Sequence, residues 1–282
     1  MTETTTPPAT AATAQTPAPR RRSLVSLCLR QGRMELRQFA RQRESMIFTF
    51  CFPLIMFTVF GSAFSQRLTP DVQFSQYLLA GIVASGLMST GFQSLAITVP
   101  IERDNLALKR FAGTPMPRTV YFAGKIILVV ATSAAQITLL FLIAGLCYGV
   151  PLPTSPARWL TFAWVGILGC AACATVGIAL SNLIRSGRSA SAVVAPFAVL
   201  LQFISGVYFV YGNVPGWLRY VAELFPVKWM AQGMRSALLP DSFASQEVGG
   251  GWQHPQTALV LAAWLLLGIL FAARRFRWSS DG

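Results

Sequence analysis

FAGKIILVVATSAAQITLLFLIAGLCY, residues 122–148, is an unbroken apolar run whose one charge, Lys125, lies near its start. At about 1.5 Å per residue a helix of this length exceeds the roughly 30 Å of bilayer hydrocarbon, which implies a tilted span. The run is continuous rather than alternating, so a helix fits and a barrel strand does not. Five more blocks of this kind flank it, at residues 47–64, 77–99, 160–180, 190–211 and 257–273. Pro53 is expected to kink the first of them. The whole chain agrees: 282 residues, 54% hydrophobic and 12% charged, with a mean hydropathy of +0.53. A soluble domain carries about 25% charged residues. The expected fold is therefore an all-α integral membrane protein of six transmembrane helices, with no room for a second folded domain.

The N-terminal 22 residues form a Thr/Ala/Pro tail ending in three arginines, expected to be disordered. Residues 23–45 follow as an interfacial helix, and residues 46–282 as the transmembrane domain. In that first helix Arg30, Arg33, Arg37 and Arg41 share one face. Leu24, Val25, Cys28, Leu36 and Phe39 lie on the opposite face, the pattern of a helix lying on a membrane surface. Net charge is +13, and its distribution sets an orientation. With both termini cytoplasmic, eighteen of the 23 Lys and Arg face inward, among them Arg185, Arg188, Arg274, Arg275 and Arg277. Only Arg67, Arg158, Arg219, Lys228 and Arg235 face outward. A multi-pass protein of the cytoplasmic membrane is expected, and the basic charge needs no nucleic acid to account for it.

Residues 217–239 compete as a seventh crossing but contain Arg219, Glu223, Pro226, Lys228 and Arg235. Each charge at a helix centre costs about 2.5–3.5 kcal/mol, so the segment reads instead as one or two short re-entrant helices. Arg219 and Glu223, four residues apart, are positioned to pair, and Pro226 turns the chain back.

Catalytic constellations are not found in the sequence. His254 is the one histidine, and no acidic pair of the metal-binding kind lies in a span. Cys170 and Cys173 share a helix face with Gly166 and Gly177, a small-residue stripe suited to helix packing. The single Gly-Lys pair, Gly124–Lys125, lacks the remainder of a phosphate-binding loop. Any ATP and Mg must be held by another subunit; no cofactor or metal is expected on this chain.

The loop IERDNLALKRFAGTPMPRTVYFAGKI, residues 101–126, places Glu102, Arg103 and Asp104 where a span leaves the bilayer, followed by a short amphipathic helix. This segment resembles the signature of the ABC type-2 exporter permeases through Glu102, Arg103, Asp104, Leu106, Lys109, Gly113, Thr114 and Pro115. A second stretch, residues 205–239, is similar to the same family at Ser205, Gly206, Phe209, Pro215, Trp217, Leu218, Pro226 and Arg235, and departs from it at Lys228–Trp229. The likeness covers roughly residues 23–278. It implies a permease that works as a pair, identical or related, with two copies of a separate ATP-binding subunit. Daunorubicin- and multidrug-exporter permeases are the branch it most resembles, and the cargo implied is a drug, antibiotic or lipid-like amphiphile moved outward.

Under that resemblance Glu102, Arg103, Asp104, Leu106 and Lys109 are the expected contact to the ATPase. The expected substrate path combines Gln93, Gln136 and Gln202 with the aromatics Phe92, Phe203, Tyr208 and Phe209, because polar side chains within a span seek a partner or a wet cavity. Pro215, Arg219, Glu223, Pro226 and Lys228 form the expected outer gate. Two competing readings are a membrane anchor or assembly factor for an ATPase, and a membrane-embedded lipid-modifying enzyme.

Overall fold

The computed structural model describes residues 23–64, 66–113, 117–184 and 186–275. The N-terminal tail, the turn at Thr114 and Pro115, Arg185 and Arg277 lie outside the described residues. Eleven α-helices, one short hairpin, a π-helical turn and two 3-10 turns make up the regular structure among them.

Helix α1 (Leu24–Arg41) opens on Ser23, whose hydroxyl accepts from the Ser26 N–H at 3.3 Å. Gln42 alone separates it from α2 (Arg43–Ala63), which runs through Pro53 as one helix. A hairpin, β1 (Arg67–Thr69) and β2 (Val72–Gln73), leads into α3 (Phe74–Met88). Helix α3 continues through a π-helical turn (Ser89–Gln93) into α4 (Ser94–Asp104). Short α5 (Ala107–Ala112) follows, then α6 (Arg118–Tyr148), α7 (Pro156–Ser181) and α8 (Gly187–Ile204). Helices α9 (Gly216–Glu223) and α10 (Pro226–Leu238) precede the last, α11 (His254–Arg275).

Six segments are long and apolar enough to cross a membrane: α2, α3–α4 as one unit, α6, α7, α8 and α11. The α3–α4 unit is the central one, with 72% of its apolar window buried against 17% for α2 and for α11. Small residues permit this enclosure. A side chain at Gly91, in the π turn, would press on the Cys170 carbonyl and Cys173 of α7, and one at Gly177 on the Phe92 backbone. The Cys170/Cys173 stripe therefore serves close packing, with the Cys173 thiol 3.5 Å from Met230 Sδ of α10.

One boundary differs materially from the sequence expectation. Apolar residues continue to Tyr211, but α8 stops at Ile204 because Gly206 takes a φ of 69° and reverses the chain. The residues beyond it pack over α3 instead of extending the span. Residues 217–239 do form two short helices, α9 and α10, with Pro226 at the first position of the second. Helix α10 is buried along its whole length, packed on α3 and α7.

Candidate functional site

Helix α4 ends in three consecutive charges, and about 100° of rotation per residue aims them at three different neighbours. Glu102 accepts from the Tyr121 hydroxyl of α6 at 2.7 Å and pairs with the Lys125 ammonium. Arg103 donates to the carbonyls of Ser181, at 3.4 Å, and Ile184, at the close of α7. Asp104 accepts the Gly187 N–H at 2.6 Å, where α8 begins. Lys125 also pairs with Glu35 of α1 at 2.8 Å, and Gln31 holds the other Glu35 oxygen at 3.0 Å. Helices α1, α4, α6, α7 and α8 are thus tied together at one end of the bundle.

This junction is dry. Lys125 is 1% exposed, Glu35 6%, Arg103 7% and Glu102 9%. Desolvated charges of this kind are costly to hold and far costlier to leave unpaired. Close approach of α1 to α6 makes the pairing feasible: a side chain at Gly32 would collide with Ile127, and one at Gly124 with Gln31.

Glu102 and Arg103, expected at the contact to the ATPase, are engaged within the chain in this geometry. Both are buried and hold neighbouring helices, so they position the junction. What faces outward is the stretch after them: Asp104, Asn105 and Leu106 are exposed, and Lys109 is half-exposed. Leu106 links α4 to α5 in the left-handed region, φ 57° and ψ 15°, a conformation costing an L-residue roughly 1–2 kcal/mol.

The expected substrate-path residues separate into two cavities and a remainder. A groove of about 260 Å³ between α2, the π turn and α4, α6 and α8 is lined by Thr49, Ser89, Gln93, Thr98 and Gln202. Gln93 has no hydrogen bond among the described residues, whereas the Gln202 Oε1 accepts from Ser85 at 2.6 Å and Tyr208 at 2.7 Å. A second pocket of about 440 Å³ is lined by Phe64, Phe203, Phe209, Pro215 and Leu218. Tyr208 stacks on Phe60 beside it. Both cavities lie along α2 and α8, one after the other.

Gln136 and Phe92 line neither. Phe92 is buried, its ring tilted against that of Phe197. Gln136 lies buried across Gly86, with both amide atoms lacking a partner.

The gate residues also rearrange. Among the described residues Arg219 and Glu223 form no ion pair, although the spacing permits one. The Arg219 carbonyl accepts from Tyr211, and the Glu223 carbonyl from the Trp229 ring N–H. Buried Arg235 pairs instead with Glu247, lies 4.8 Å above the Tyr77 ring and donates to the Gly206 carbonyl at 3.5 Å. Lys228, 1% exposed, makes no ion pair among the described residues and sits over the rings of Trp229 and Tyr211, at 3.4 and 5.6 Å. Burial pushes its ammonium down from 10.5 to about 8.

Glu35, Lys125 and Glu247 are the partners that sequence reasoning missed. One signal for Glu35 was present: an acid, with Gln31 a turn earlier, on the otherwise apolar face of α1.

A family model described as ABC-2 type transporter matches residues 27–239, from α1 through α10. No curated protein matches the chain.

Proposed function

Because the chain belongs to the ABC-2 type transporter family, and so is a multi-pass membrane component of a transporter, we propose that it is an exporter permease worked by a separate ATP-binding subunit. The observation carrying this reading is the buried junction at the end of α4. A force applied at the outward side of α5, where Arg110 is exposed and Lys109 half-exposed, is delivered through Leu106 to α4, and from there through Glu102, Arg103 and Asp104 to α6, α1, α7 and α8 at once. A rigid, internally paired junction suits transmission from a soluble motor. In this reading the junction end is cytoplasmic, in keeping with the arginines on α1.

Cargo moves along α2 and α8, from the groove at Gln93 to the aromatic pocket at Phe203 and Phe209, and a second permease copy closes the open side. Hydroxyl and amide groups beside apolar walls suit an amphiphile with a small polar head, such as a drug or a lipid. Helices α9 and α10 close the far end.

The test is export by the reconstituted complex. Inside-out vesicles holding the permease and its ATP-binding subunit should accumulate a fluorescent amphiphile on ATP addition. Lys125→Met should abolish accumulation while the protein still inserts. Accumulation by the permease alone, without the ATP-binding subunit, would refute the reading.

A further inference from the structure

Helix α1 divides its charges between two faces. Glu35 points inward to Lys125, and the buried face of the helix is Gln31, Gly32 and Glu35. Arg30, Arg33, Arg37 and Arg41 are all exposed on the other side. None of the four has an ion pair or hydrogen bond among the described residues. Apolar side chains stand exposed beside this row: Leu29 at 61% and Met34 at 50%. A one-residue joint, Gln42, then leads directly into the first span. Four unpaired guanidinium groups flanked by bare apolar residues, at the mouth of a membrane helix, match phosphate headgroups above acyl chains. The adjoining apolar residues and the continuity with α2 favour a lipid surface over an acidic protein.

We propose that α1 binds anionic phospholipid headgroups through Arg30, Arg33, Arg37 and Arg41, and that the Glu35–Lys125–Glu102 contact passes this occupancy to α4 and α5. Lys125 is shared by two carboxylates, so a shift of α1 toward the membrane surface alters its hold on Glu102. The second half of the proposal rests on the transporter reading above; the first half does not.

Two measurements test the two halves. For binding, the full-length permease is placed in nanodiscs with a fluorophore on Met34→Cys in a cysteine-free background. Brominated phosphatidylglycerol should quench it with about a fivefold local preference over brominated phosphatidylcholine. The Arg33→Gln/Arg37→Gln variant should lose that preference, and Arg33→Lys/Arg37→Lys should keep it. Equal quenching by the two lipids in the unsubstituted protein overturns the binding site. Unchanged lipid preference in the Gln variant, with loss of the ATP-binding subunit on purification, would make the row a protein-docking face and also overturns it. For transmission, ATPase activity of the complex should rise several-fold when phosphatidylglycerol is added to phosphatidylcholine vesicles. Glu35→Gln should abolish the rise while keeping the quenching preference; a retained rise overturns transmission. A complex without ATPase activity in either lipid counts against the transporter reading, and quenching still decides the binding.

Discussion

Glu35 and Lys125 are 90 residues apart in the chain and 2.8 Å apart in the structure. Their contact joins the N-terminal helix to the third span, and the same ammonium meets Glu102 at the end of the second. One cation therefore serves two carboxylates in a dry environment, and removing it leaves two buried anions facing each other.

Lys125→Met should destabilise the protein by about 3–5 kcal/mol, the range for breaking a buried pair. Glu35→Gln should cost less, because Glu102 keeps Lys125. Thermal unfolding in detergent orders the two variants; equal losses would mean that Glu102 does not share the cation.

Leu106→Gly removes an exposed side chain from a left-handed backbone position. The strain relieved is roughly 1 kcal/mol, so stability should hold or rise slightly. The joint between α4 and α5 loosens, however, and transport per ATP hydrolysed should fall. A simultaneous comparison of the melting temperature and the transport-to-ATPase ratio checks both outcomes.

The two glutamines of the groove should behave oppositely. Gln93→Leu breaks no hydrogen bond and should change stability by less than about 0.5 kcal/mol while altering which amphiphiles are exported. Gln202→Leu strands the hydroxyls of Ser85 and Tyr208 and should cost about 1–3 kcal/mol. Unfolding midpoints and a substrate panel for the two variants measure this contrast.

Lys228 gives stability a pH dependence with a definite sign. Its folded pKa, about 8, lies below the ordinary 10.5, so the unfolded chain holds the proton more tightly. The burial penalty is fully present below pH 8 and is relieved as the pH rises from 8 toward 10.5. Glu223, Arg235, Glu247 and Tyr211 surround the group, and the two carboxylates moderate the effect. Lys228→Met should be more stable than the parent below pH 8, and the rise should flatten. Melting temperature against pH for both proteins provides the check; a parent curve that falls across this range would contradict the assignment.

The six spans were legible because lipid imposes long apolar runs, and the re-entrant pair because its charges forbid a crossing. Residues 205–211 were not. Their apolar character continues that of the fifth span, and nothing but Gly206 marks the reversal. The charged junction was half legible. Glu102, Arg103 and Asp104 stood out at a span exit, but their partners lie far along the chain, and exposure cannot be read from charge. Arg103 illustrates this: it caps the carbonyls of Ser181 and Ile184 across a gap of some eighty residues. The three glutamines share one property in the sequence, polarity within a span, and packing gives each a different role. Gln202 is bonded internally, Gln93 faces a groove and Gln136 is enclosed.

The wide turn at Ser89–Gln93 sets the rotational phase of everything beyond it on the same helix. A π turn accommodates an additional residue, and each residue advances an α-helix by about 100°. Shortening this turn by one would leave α3 seated while swinging the charged tip of α4 more than a quarter-circle. Glu102 would then no longer meet Lys125, nor Asp104 the start of α8. The aim of the tip is thus fixed three turns away, deep among apolar neighbours, by a local irregularity that carries no charge at all.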